Sequence, residues 1–330
     1  LKSFQYVADW KQFIKFNVMK NATLTILTFT LIILIGCKEE VLDPNTYIVE
    51  KPGYLVTMIN EVDRNILTEL KIKGNIDARD INFLKHKVIN LAILDLSDAK
   101  IHSFTGTGGT KYSSGEPPTY NENELPHSAF SDLKTLKTIV LPKNLTSIAG
   151  RCFYDCSRLE SIIIPSTVKS ISGDYTFYGC SSLKSIEIPN LVTSLGNNTF
   201  MRCSNLENII IGTSVTTIGS GSFEKCTKLK YIIIPDAVQS IAGLLFFGCN
   251  SLETITIGKS VNKVEDGAFH FCTNLKRIIF NGVTPPIPGT NAGTEVNLNT
   301  CILDIPKGSS VKYKSATYWK DFKNIVERDH

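Results

Sequence analysis

Cysteine is the residue of this chain whose chemistry and spacing are both distinctive. Six of the nine cysteines lie 23 or 24 residues apart: Cys156, Cys180, Cys203, Cys226, Cys249 and Cys272. Cysteines in a repeated arrangement can bind zinc, form disulfides or fill a hydrophobic core. Zinc needs four ligands that converge on one point, whereas one cysteine per repeat produces a line of thiols. The spacing therefore argues against a metal site and leaves disulfides and packing as alternatives.

The geometry of stacked repeats favours packed thiols over disulfides. Adjacent strands lie roughly 4.8 Å apart, which is within the Cα range of a disulfide. Equivalent positions point their Cβ atoms in parallel, however, which keeps these atoms roughly 5 Å apart where a disulfide prefers about 3.8 Å. Each cysteine also lies three residues after a Phe and three before a Leu, and free cysteine packs as a small apolar side chain. We predict a row of reduced, buried thiols.

Three further cysteines, Cys37, Cys152 and Cys301, lie outside this row, and Cys37 is considered below with the export signal. Cys301 occurs in the alternating segment "CILDI" and is predicted to be part of the core. The sequence leaves open whether Cys152 or Cys301 forms a disulfide.

No other reactive residues have a spacing typical of an active site. His270 lies two residues before Cys272, but other repeats fill its position with Tyr, Met or Glu. The segment GTGG at residues 106–109 lacks the Lys-Ser/Thr that follows the glycines of a phosphate loop. We therefore predict no catalytic residues, no metal site and no cofactor, and expect that the protein is not an enzyme.

The regularly spaced cysteines belong to a repeat of about 23 residues, and each copy begins with a Phe that is predicted to be buried. The seven copies begin at Phe130, Phe153, Phe177, Phe200, Phe223, Phe246 and Phe269. Each continues with the alternating pattern LxxIxI, which predicts a strand, and then with a Pro or Gly that ends it and the pattern VxxI. A repeat this short cannot bury its own apolar face, so the period predicts a solenoid of stacked repeats, here called rungs.

The repeat line AFxxCxxLxxIxIPxxVxxI resembles the BspA-type leucine-rich repeat of bacterial surface proteins, over residues 129–280. The segments "ILTELKIKGNIDARDINFL" and "LAILDLSDAKI" resemble the degenerate N-terminal rungs of Bacteroides members. Residues 301–327 resemble their C-terminal cap, in which residues 311–316 and the Trp319/Phe322 pair would cover the last rung. The departures from the repeat are Leu133 in place of the first cysteine, and Gly212, Gly258 and Asn281 in place of the strand-ending proline.

This resemblance implies a non-enzymatic cell-surface protein with a role in adhesion to a host or neighbouring-cell surface or matrix protein. The predicted fold class is a β-rich solenoid, a leucine-rich repeat array of about 23-residue rungs with a degenerate N-terminal part and a C-terminal cap. The predicted segments are an upstream extension with a signal peptide (1–36), a lipidated cysteine and tether (37–48), N-terminal rungs (49–102), a Gly/Ser/Pro-rich loop (103–128), seven repeats (129–284) and the cap (285–330).

A predicted export signal lies in residues 19–37, "MKNATLTILTFTLIILIGC". Its apolar stretch of about a dozen residues suits a secretory signal better than a span of about twenty, although a transmembrane anchor is the alternative. The ending LIGC resembles the lipobox of bacterial lipoproteins, which implies cleavage before Cys37 and a lipid on its thiol. The following Lys-Glu-Glu is similar to the surface-export signal of Bacteroidetes lipoproteins, so we expect an outer-membrane or cell-surface protein. Residues 1–18 are interpreted as an upstream extension.

The charge of the chain argues against a nucleic-acid partner. The formal net charge is +4, of which +3 lies before Cys37, so the remainder carries only +1. No polyanion-binding field follows from such a value. Contact with the membrane is therefore expected through the lipid anchor alone.

The outward positions of the predicted strands provide the candidate binding residues. The position after each conserved Leu alternates in sign and predicts a structural ladder of ion pairs: Lys137, Glu160, Lys184, Glu207, Lys230, Glu253 and Lys276. Two other outward positions supply the predicted protein-binding residues Ile163, Ile210, Tyr231, Ile233, Arg277 and Ile279. Strand propensity alone is the competing explanation for the isoleucines. A glycan-binding module of a nutrient-acquisition system is the alternative function, but it would favour rows of aromatics, and Tyr231 is the one aromatic on this face.

Overall fold

The computed structural model describes residues 43–111 and 116–329. The predicted signal peptide and the predicted lipidation site Cys37 lie outside these residues. The chain from Asn45 onward forms one compact unit. No helix in the two described ranges has the length and apolar character needed to cross a membrane.

Short strands dominate the described chain. The strands are β1 (Thr46–Val49), β2 (Glu69–Ile76), β3 (Ile93–Ile101), β4 (Phe104–Thr105), β5 (Thr119–Tyr120), β6 (Glu124–Leu125), β7 (Thr138–Val140), β8 (Ser147–Ile148), β9 (Ser161–Ile163), β10 (Ser185–Glu187), β11 (Ser194–Leu195), β12 (Asn208–Ile210), β13 (Thr217–Ile218), β14 (Tyr231–Ile234), β15 (Ser240–Ile241), β16 (Thr254–Ile257), β17 (Lys263–Val264), β18 (Arg277–Phe280), β19 (Ile287–Pro288), β20 (Ile302–Pro306) and β21 (Asn324–Arg328). The helices are α1 (Leu55–Met58), α2 (Glu61–Ile66), α3 (Ala78–Lys87), α4 (Ser310–Ser315) and a 3-10 helix (Trp319–Asp321).

One strand from each rung contributes to a parallel stack that we call the strand face. Its hydrogen-bonded groups are β1-β2-β3-β7-β9, β10-β12 and β14-β16-β18-β20-β21. The register aligns equivalent positions of successive rungs, as in the series Ile233, Thr256 and Ile279. Within residues 116–329 no strand pairing joins β9 to β10 or β12 to β14. The predicted solenoid of leucine-rich repeat rungs is confirmed, and its strand face is divided into three parts.

A second parallel stack follows from the VxxI part of the repeat. Its two-residue strands pair in the groups β6-β8, β11-β13 and β15-β17-β19. Ile171 lies in the rung between β8 and β11 and forms an isolated parallel β-bridge to Leu195 of β11. Each of these strands except β19 buries one apolar side chain, as at Ile148, Leu195 and Ile218. The second stack therefore closes another side of each rung.

The third side of the rung, which we call the turn face, is closed by backbone hydrogen bonds around the repeated Phe. The Phe153 N–H donates to the Thr176 carbonyl at 2.8 Å, and the Phe177 N–H donates to the Thr199 carbonyl at 2.8 Å. The residues two positions before and two positions after each Phe have positive φ, as at Tyr175 (59°) and Gly179 (70°). This left-handed pair turns the chain sharply enough to bury the Phe between its neighbours.

The core consists of parallel rows of identical residue types. The seven phenylalanine rings are fully buried. Successive rings stack with centroid distances between 5.2 and 5.9 Å. The rows of Leu and of inward-pointing Ile run beside them, and all belong to one continuous hydrophobic cluster. Stacking buries the apolar face that a single rung would leave exposed.

The N-terminal rungs begin earlier than the sequence predicted. Strand β1 begins at Thr46, inside the predicted tether at residues 37–48, ends at Val49 and pairs in parallel with β2. The prediction missed β1 because a single four-residue strand carries no repeat signal. Helix α3 connects β2 to β3 and begins with a capping box, in which the Asp77 side chain accepts from the Arg79 N–H and the Asp80 side chain accepts from the Asp77 N–H.

The described residues of the predicted Gly/Ser/Pro-rich loop, 103–111 and 116–128, contain the short strands β4, β5 and β6. Strands β4 and β5 pair antiparallel. The Phe104 and Tyr120 rings stack at 5.9 Å, and the Arg79 guanidinium lies 4.4 Å from the centroid of Phe104. Strand β6 already belongs to the second stack through its pairing with β8. The composition of this segment predicted a loop. The contacts that hold β4 and β5 in place, such as that of Phe104 with Arg79, join residues far apart in the sequence, and composition gives no indication of them.

The C-terminal cap adds strands as well as a cover. Strands β20 and β21 extend the strand face, and β20 pairs with β18. Trp319 and Phe322 are buried, as predicted for the residues that cover the last rung. The Trp319 indole N–H donates to the Pro286 carbonyl at 2.6 Å, and the Tyr313 hydroxyl donates to the Gly282 carbonyl at 2.9 Å. The cap is therefore fixed to the solenoid by rings and by hydrogen bonds.

Candidate functional site

The predicted binding residues of the strand face are exposed on β9, β12 and β14. The side chains of Ile163, Ile210, Tyr231 and Ile233 are 76%, 63%, 58% and 67% exposed, respectively. Ile279 is only half-buried in the same row, in register with Thr256. Strand alternation places these residues outward while their neighbours Ile232 and Ile234 point into the core.

These residues form separate patches and not one continuous stripe. Glu187 and Thr256 occupy the same row as the isoleucines. The two interruptions of strand pairing also open shallow grooves. Ile163 lines the first groove together with Glu187 and Leu191, and Tyr231 lines the second together with Glu207 and Lys230. We call Tyr231 and Ile233, which lie two residues apart on β14, the strand-face patch.

The structure gives Arg277 a role in the cap. Its guanidinium donates to the Asp304 carboxylate at 2.7 Å, and the same carboxylate accepts from Arg328 at 2.8 Å. Asp304 is buried and lies in the row that carries Ile279 on the preceding strand. The prediction that Arg277 binds a partner is therefore not supported by its surroundings, because its guanidinium is already bound to Asp304.

The predicted alternating charge ladder forms an ion pair at one step. The Lys276 ammonium lies 2.8 Å from the Glu253 carboxylate. A hydrogen bond from Lys276 lowers the pKa of Glu253. The other five members of the ladder make no ion pair within residues 116–329. At those steps the alternation keeps like charges two rungs apart without closing a direct contact.

The cysteine row consists of buried, free thiols, as predicted. Each thiol of the row donates to the carbonyl of the Phe in the preceding rung, as from Cys226 to Phe200 at 3.2 Å and from Cys249 to Phe223 at 2.9 Å. Burial raises the pKa of each of these thiols, to about 12 at Cys272. A buried, protonated thiol is a poor nucleophile and a poor metal ligand, so the cysteine row serves to pack the core.

Cys152 and Cys301 are also buried and free. The Cys152 thiol donates to the Pro126 carbonyl at 3.1 Å. His270, which lies near Cys272 in the sequence, pairs instead with Glu295 at 3.0 Å. Among residues 43–111 and 116–329 no three potential metal ligands lie close enough to hold an ion.

The buried acids near the N terminus are structural. The Asp80 carboxylate accepts from the Gly53 N–H at 2.6 Å, the Leu55 N–H at 2.9 Å and the Asp77 N–H at 3.0 Å. Burial raises the pKa of Asp80, and the backbone hydrogen bonds oppose this shift. This carboxylate fixes the segment before α1 against the start of α3 and is not open to a substrate.

The turn face carries an aromatic cluster that the sequence analysis did not identify. The Tyr154 and Tyr178 rings of adjacent rungs stack at 4.7 Å with an interplanar angle of 7°. The Arg202 guanidinium of the next rung lies 5.7 Å from the centroid of Tyr178. Arg151 lies 5.7 Å from the ring of Tyr154 and 5.4 Å from that of Tyr175. Two exposed guanidinium groups therefore flank a cluster of three tyrosines.

A shallow groove with a volume of about 680 Å³ continues from this cluster along the solenoid axis. We call it the turn-face groove. Its lining residues are Asp155, Tyr178, Gly179, Ser181, Arg202, Ser204, Lys225, Thr227, Phe247, Gly248, Asn250 and Phe271. The Phe247 and Phe271 rings meet edge to face at 5.2 Å at its far end.

The sequence contained a signal for this groove. After Phe130 the next two positions hold Ser131 and Asp132. In the six later copies the first position holds Tyr154, Tyr178, Met201, Glu224, Phe247 and His270, and the second holds Asp155, Gly179, Arg202, Lys225, Gly248 and Phe271. The sequence analysis treated these positions as variable loop residues. Aligning them as two rows would have placed aromatic rings and cations side by side on successive rungs.

A family model matches the repeat region of the chain, and several solved structures are similar to it. The family described as "BspA type Leucine rich repeat region" matches in six copies over residues 119–216 and 193–304. No curated protein sequence matches the chain. A T. pallidum leucine-rich repeat protein is 27% identical, over 50% of this chain and 75% of that chain, with a TM-score of 0.42. A leucine rich cell surface protein from Faecalibacterium prausnitzii is 19% identical, over 71% and 79% of the two chains, with a TM-score of 0.38. A Bacteroides ovatus leucine-rich repeat protein is 20% identical, over 80% and 65%, with a TM-score of 0.36.

Proposed function

This chain belongs to the BspA-type leucine-rich repeat family, and on that premise we propose that it is a non-enzymatic, lipid-anchored surface scaffold that binds another protein through its strand face. The partner class is a surface or matrix protein of a host or of a neighbouring cell. The observation that carries the proposal is the exposed strand-face patch of Tyr231 and Ile233 on β14.

The chemistry of the patch suits protein contact. An isoleucine that is 67% exposed adjoins a tyrosine that is 58% exposed, beside a groove lined by Glu207 and Lys230. Protein interfaces concentrate their binding energy in apolar and aromatic anchors with a polar rim. Strand propensity accounts for isoleucine at an exposed strand position, but it does not require the aromatic neighbour at the edge of a groove.

A binding scaffold also accounts for the chemistry of the cysteines. The eight described cysteines are all buried, and burial raises the pKa of each thiol in the repeated row. Such thiols stabilise the solenoid and do not take part in nucleophilic catalysis. We therefore assign the repeated residues to construction of the scaffold and the variable outward residues to recognition.

The strand-face patch is tested by a paired substitution. Tyr231→Ala together with Ile233→Ser should weaken binding to the partner isolated from host-matrix or neighbouring-cell extracts by more than about 1 kcal/mol, because both anchors would be lost. Binding is measured by titration of the chain from residue 41 onward. The melting temperature should stay almost unchanged, since both side chains are exposed. Ile287→Ser, an exposed isoleucine of the second stack, is the control and should bind normally. Unchanged binding of the double variant would place the contact surface elsewhere.

Surface anchoring is tested at Cys37. The lipobox-like sequence before Cys37 supports the proposal that this thiol carries lipid. Cys37→Ser should abolish labelling by a palmitate analogue and should leave an uncleaved precursor. Cys301→Ser, which changes a buried cysteine, is the control and should keep the label. Labelling of Cys37→Ser at the level of the unaltered protein would contradict the lipid anchor.

A further inference from the structure

We propose that the turn-face groove is a second binding site and that its ligand is a linear acidic glycan, a sugar chain that bears carboxylate or sulfate groups. The site lies on a different side of the solenoid from the strand-face patch, and the inference does not depend on the proposed protein contact. Four observations support the inference. The groove runs along the solenoid axis, its lining carries positive charge, aromatic rings lie in it, and its backbone N–H groups are already hydrogen-bonded.

The groove is built for an extended polymer. It follows the solenoid axis from Tyr178 to Phe271, so equivalent positions recur at every rung, roughly 4.8 Å apart. One of these rows consists of hydroxyl and amide side chains: Ser181, Ser204, Thr227 and Asn250. The Ser181 and Thr227 hydroxyls donate to the carbonyls of Ser157 and Ser204 in the preceding rung, so toward a ligand these two oxygens act as acceptors. A regular row of hydrogen-bonding groups matches a ligand with a regular repeat of hydroxyl groups better than it matches a compact ligand.

The charge of the groove is positive. Arg202 is exposed and has no carboxylate partner within residues 116–329, and its guanidinium lies over Tyr178. Lys225 lies 3.6 Å from Glu224. Asp155, the acidic residue among those that line the groove, is already paired with Lys134 at 3.1 Å. A guanidinium that lacks an internal partner is suited to a carboxylate or sulfate supplied by a ligand. Arg202 and Lys225 against Asp155 give the residues that line the groove a net charge of +1.

The two cations of the groove have a backbone conformation that is unfavourable for residues with a Cβ atom. Arg202 and Lys225 have positive φ, at 64° and 58°. The equivalent position holds Gly179 in the preceding rung and Gly248 in the following one, at 70° in both cases. Glycine adopts this conformation without strain, whereas residues with a Cβ do not. Asp155 and Phe271 occupy the same position with φ of 53° and 59°, so the left-handed turn belongs to the repeat, and the backbone does not require a cation at either position.

The backbone of the groove favours a glycan over a peptide. Its N–H groups are used between rungs: Gly179 donates to Met201, Arg202 to Glu224, and Lys225 to Phe247, at 2.9, 2.8 and 2.7 Å. An extended peptide that adds to a protein surface as a strand needs free backbone partners, and this surface offers side chains instead. Hydroxyl groups, guanidinium and the exposed ring of Phe271 are suited to the hydroxyl groups, acid groups and apolar faces of sugars.

The equivalent glycines provide the test variants. Arg202→Gly with Lys225→Gly removes both charges and introduces the residue that neighbouring rungs already have, so folding is retained. Lys228→Ala removes an exposed charge outside the turn-face groove and is the matched control. The probes are polygalacturonate, heparin, neutral dextran and poly-glutamate. Affinities are measured by calorimetry with the chain from residue 41 onward, and melting temperatures are recorded for each variant.

The unaltered protein should bind polygalacturonate or heparin, according to the acid group it accepts, and should not bind dextran. The double glycine variant should lose about tenfold or more in affinity, because two charge-assisted contacts are removed. Lys228→Ala should bind as the unaltered protein does. Absence of binding to both acidic glycans, an equal loss in Lys228→Ala, or poly-glutamate binding that requires Arg202 and Lys225 would each overturn the proposal. The Tyr231→Ala/Ile233→Ser variant should keep full glycan affinity, which separates this site from the strand-face patch.

Discussion

Phe223→Ala is expected to lower the free energy of unfolding by about 3 to 5 kcal/mol. The Phe223 ring is fully buried in the middle of the aromatic row. Its centroid lies 5.7 Å from that of Phe200 and 5.6 Å from that of Phe246. Truncation removes the apolar burial of one ring and leaves a cavity between two others, which are held in place by the backbone hydrogen bonds of the turn face and cannot close the gap.

The measurement is urea denaturation followed by circular dichroism. Phe271→Ala is the matched control, since it removes the same ring from an exposed position of the turn face. The control should change the free energy of unfolding by less than about 1 kcal/mol. A loss at Phe223 as small as that at Phe271 would show that the aromatic row does not hold the rungs together.

The core of the fold could be predicted from the sequence because each rung has nearly the same core residues at the same positions. The 23-residue period places Phe, Cys and Leu at fixed intervals, and in the structure all three rows are buried in one cluster. The state of the thiols also followed from the sequence, since parallel Cβ atoms keep equivalent cysteines too far apart for a disulfide. What the sequence did not indicate was the acceptor of each thiol, the Phe carbonyl of the preceding rung.

The regions outside the repeat were harder to predict. Strand β1 begins inside the predicted tether, and the described residues of the predicted loop 103–128 contain strands β4 and β5, which pair antiparallel. These elements depend on contacts between residues that are distant in the sequence, such as that of Arg79 with Phe104. Such contacts follow no repeat pattern, so they could not be predicted from periodicity. Arg277 was misinterpreted for the same reason, since its partner Asp304 belongs to the cap, which does not follow the repeat.

The candidate surfaces differ in how far the sequence could identify them. The outward positions of Ile163, Ile210 and Ile233 follow directly from strand alternation, and their exposure agrees with it. The interruptions of strand pairing beside Ile163 and Tyr231 did not follow, because the repeat pattern is nearly the same across them. On the turn face the side-chain directions depend on paired left-handed residues. Non-glycine residues at those positions make the turn hard to recognise in the sequence, so the aligned rows of aromatic and cationic residues did not by themselves identify a groove.

The C-terminal cap determines whether the last rung is stable. In a solenoid each rung contacts only its neighbours, so a terminal rung without a cover exposes its apolar face. Trp319 is fully buried against Phe280, with ring centroids 5.0 Å apart and an interplanar angle of 80°. It also donates its indole N–H to the Pro286 carbonyl at 2.6 Å. One side chain therefore supplies both the apolar cover and a hydrogen bond that fixes its position.

Trp319→Ala is accordingly expected to cost about 3 to 5 kcal/mol, and the loss should appear first at the C-terminal end. Amide exchange in β18 and β20 should become faster than in β14, since unfolding in a linear array can begin at the uncovered end. Trp319→Phe keeps the apolar cover and removes the indole N–H, so it should cost only about 1 to 3 kcal/mol through the unpaired Pro286 carbonyl. Hydrogen exchange with mass spectrometry distinguishes the two variants. If Trp319→Ala accelerated exchange equally in β14 and β20, the array would unfold as one unit, and the cap would act on the whole solenoid instead of its last rungs.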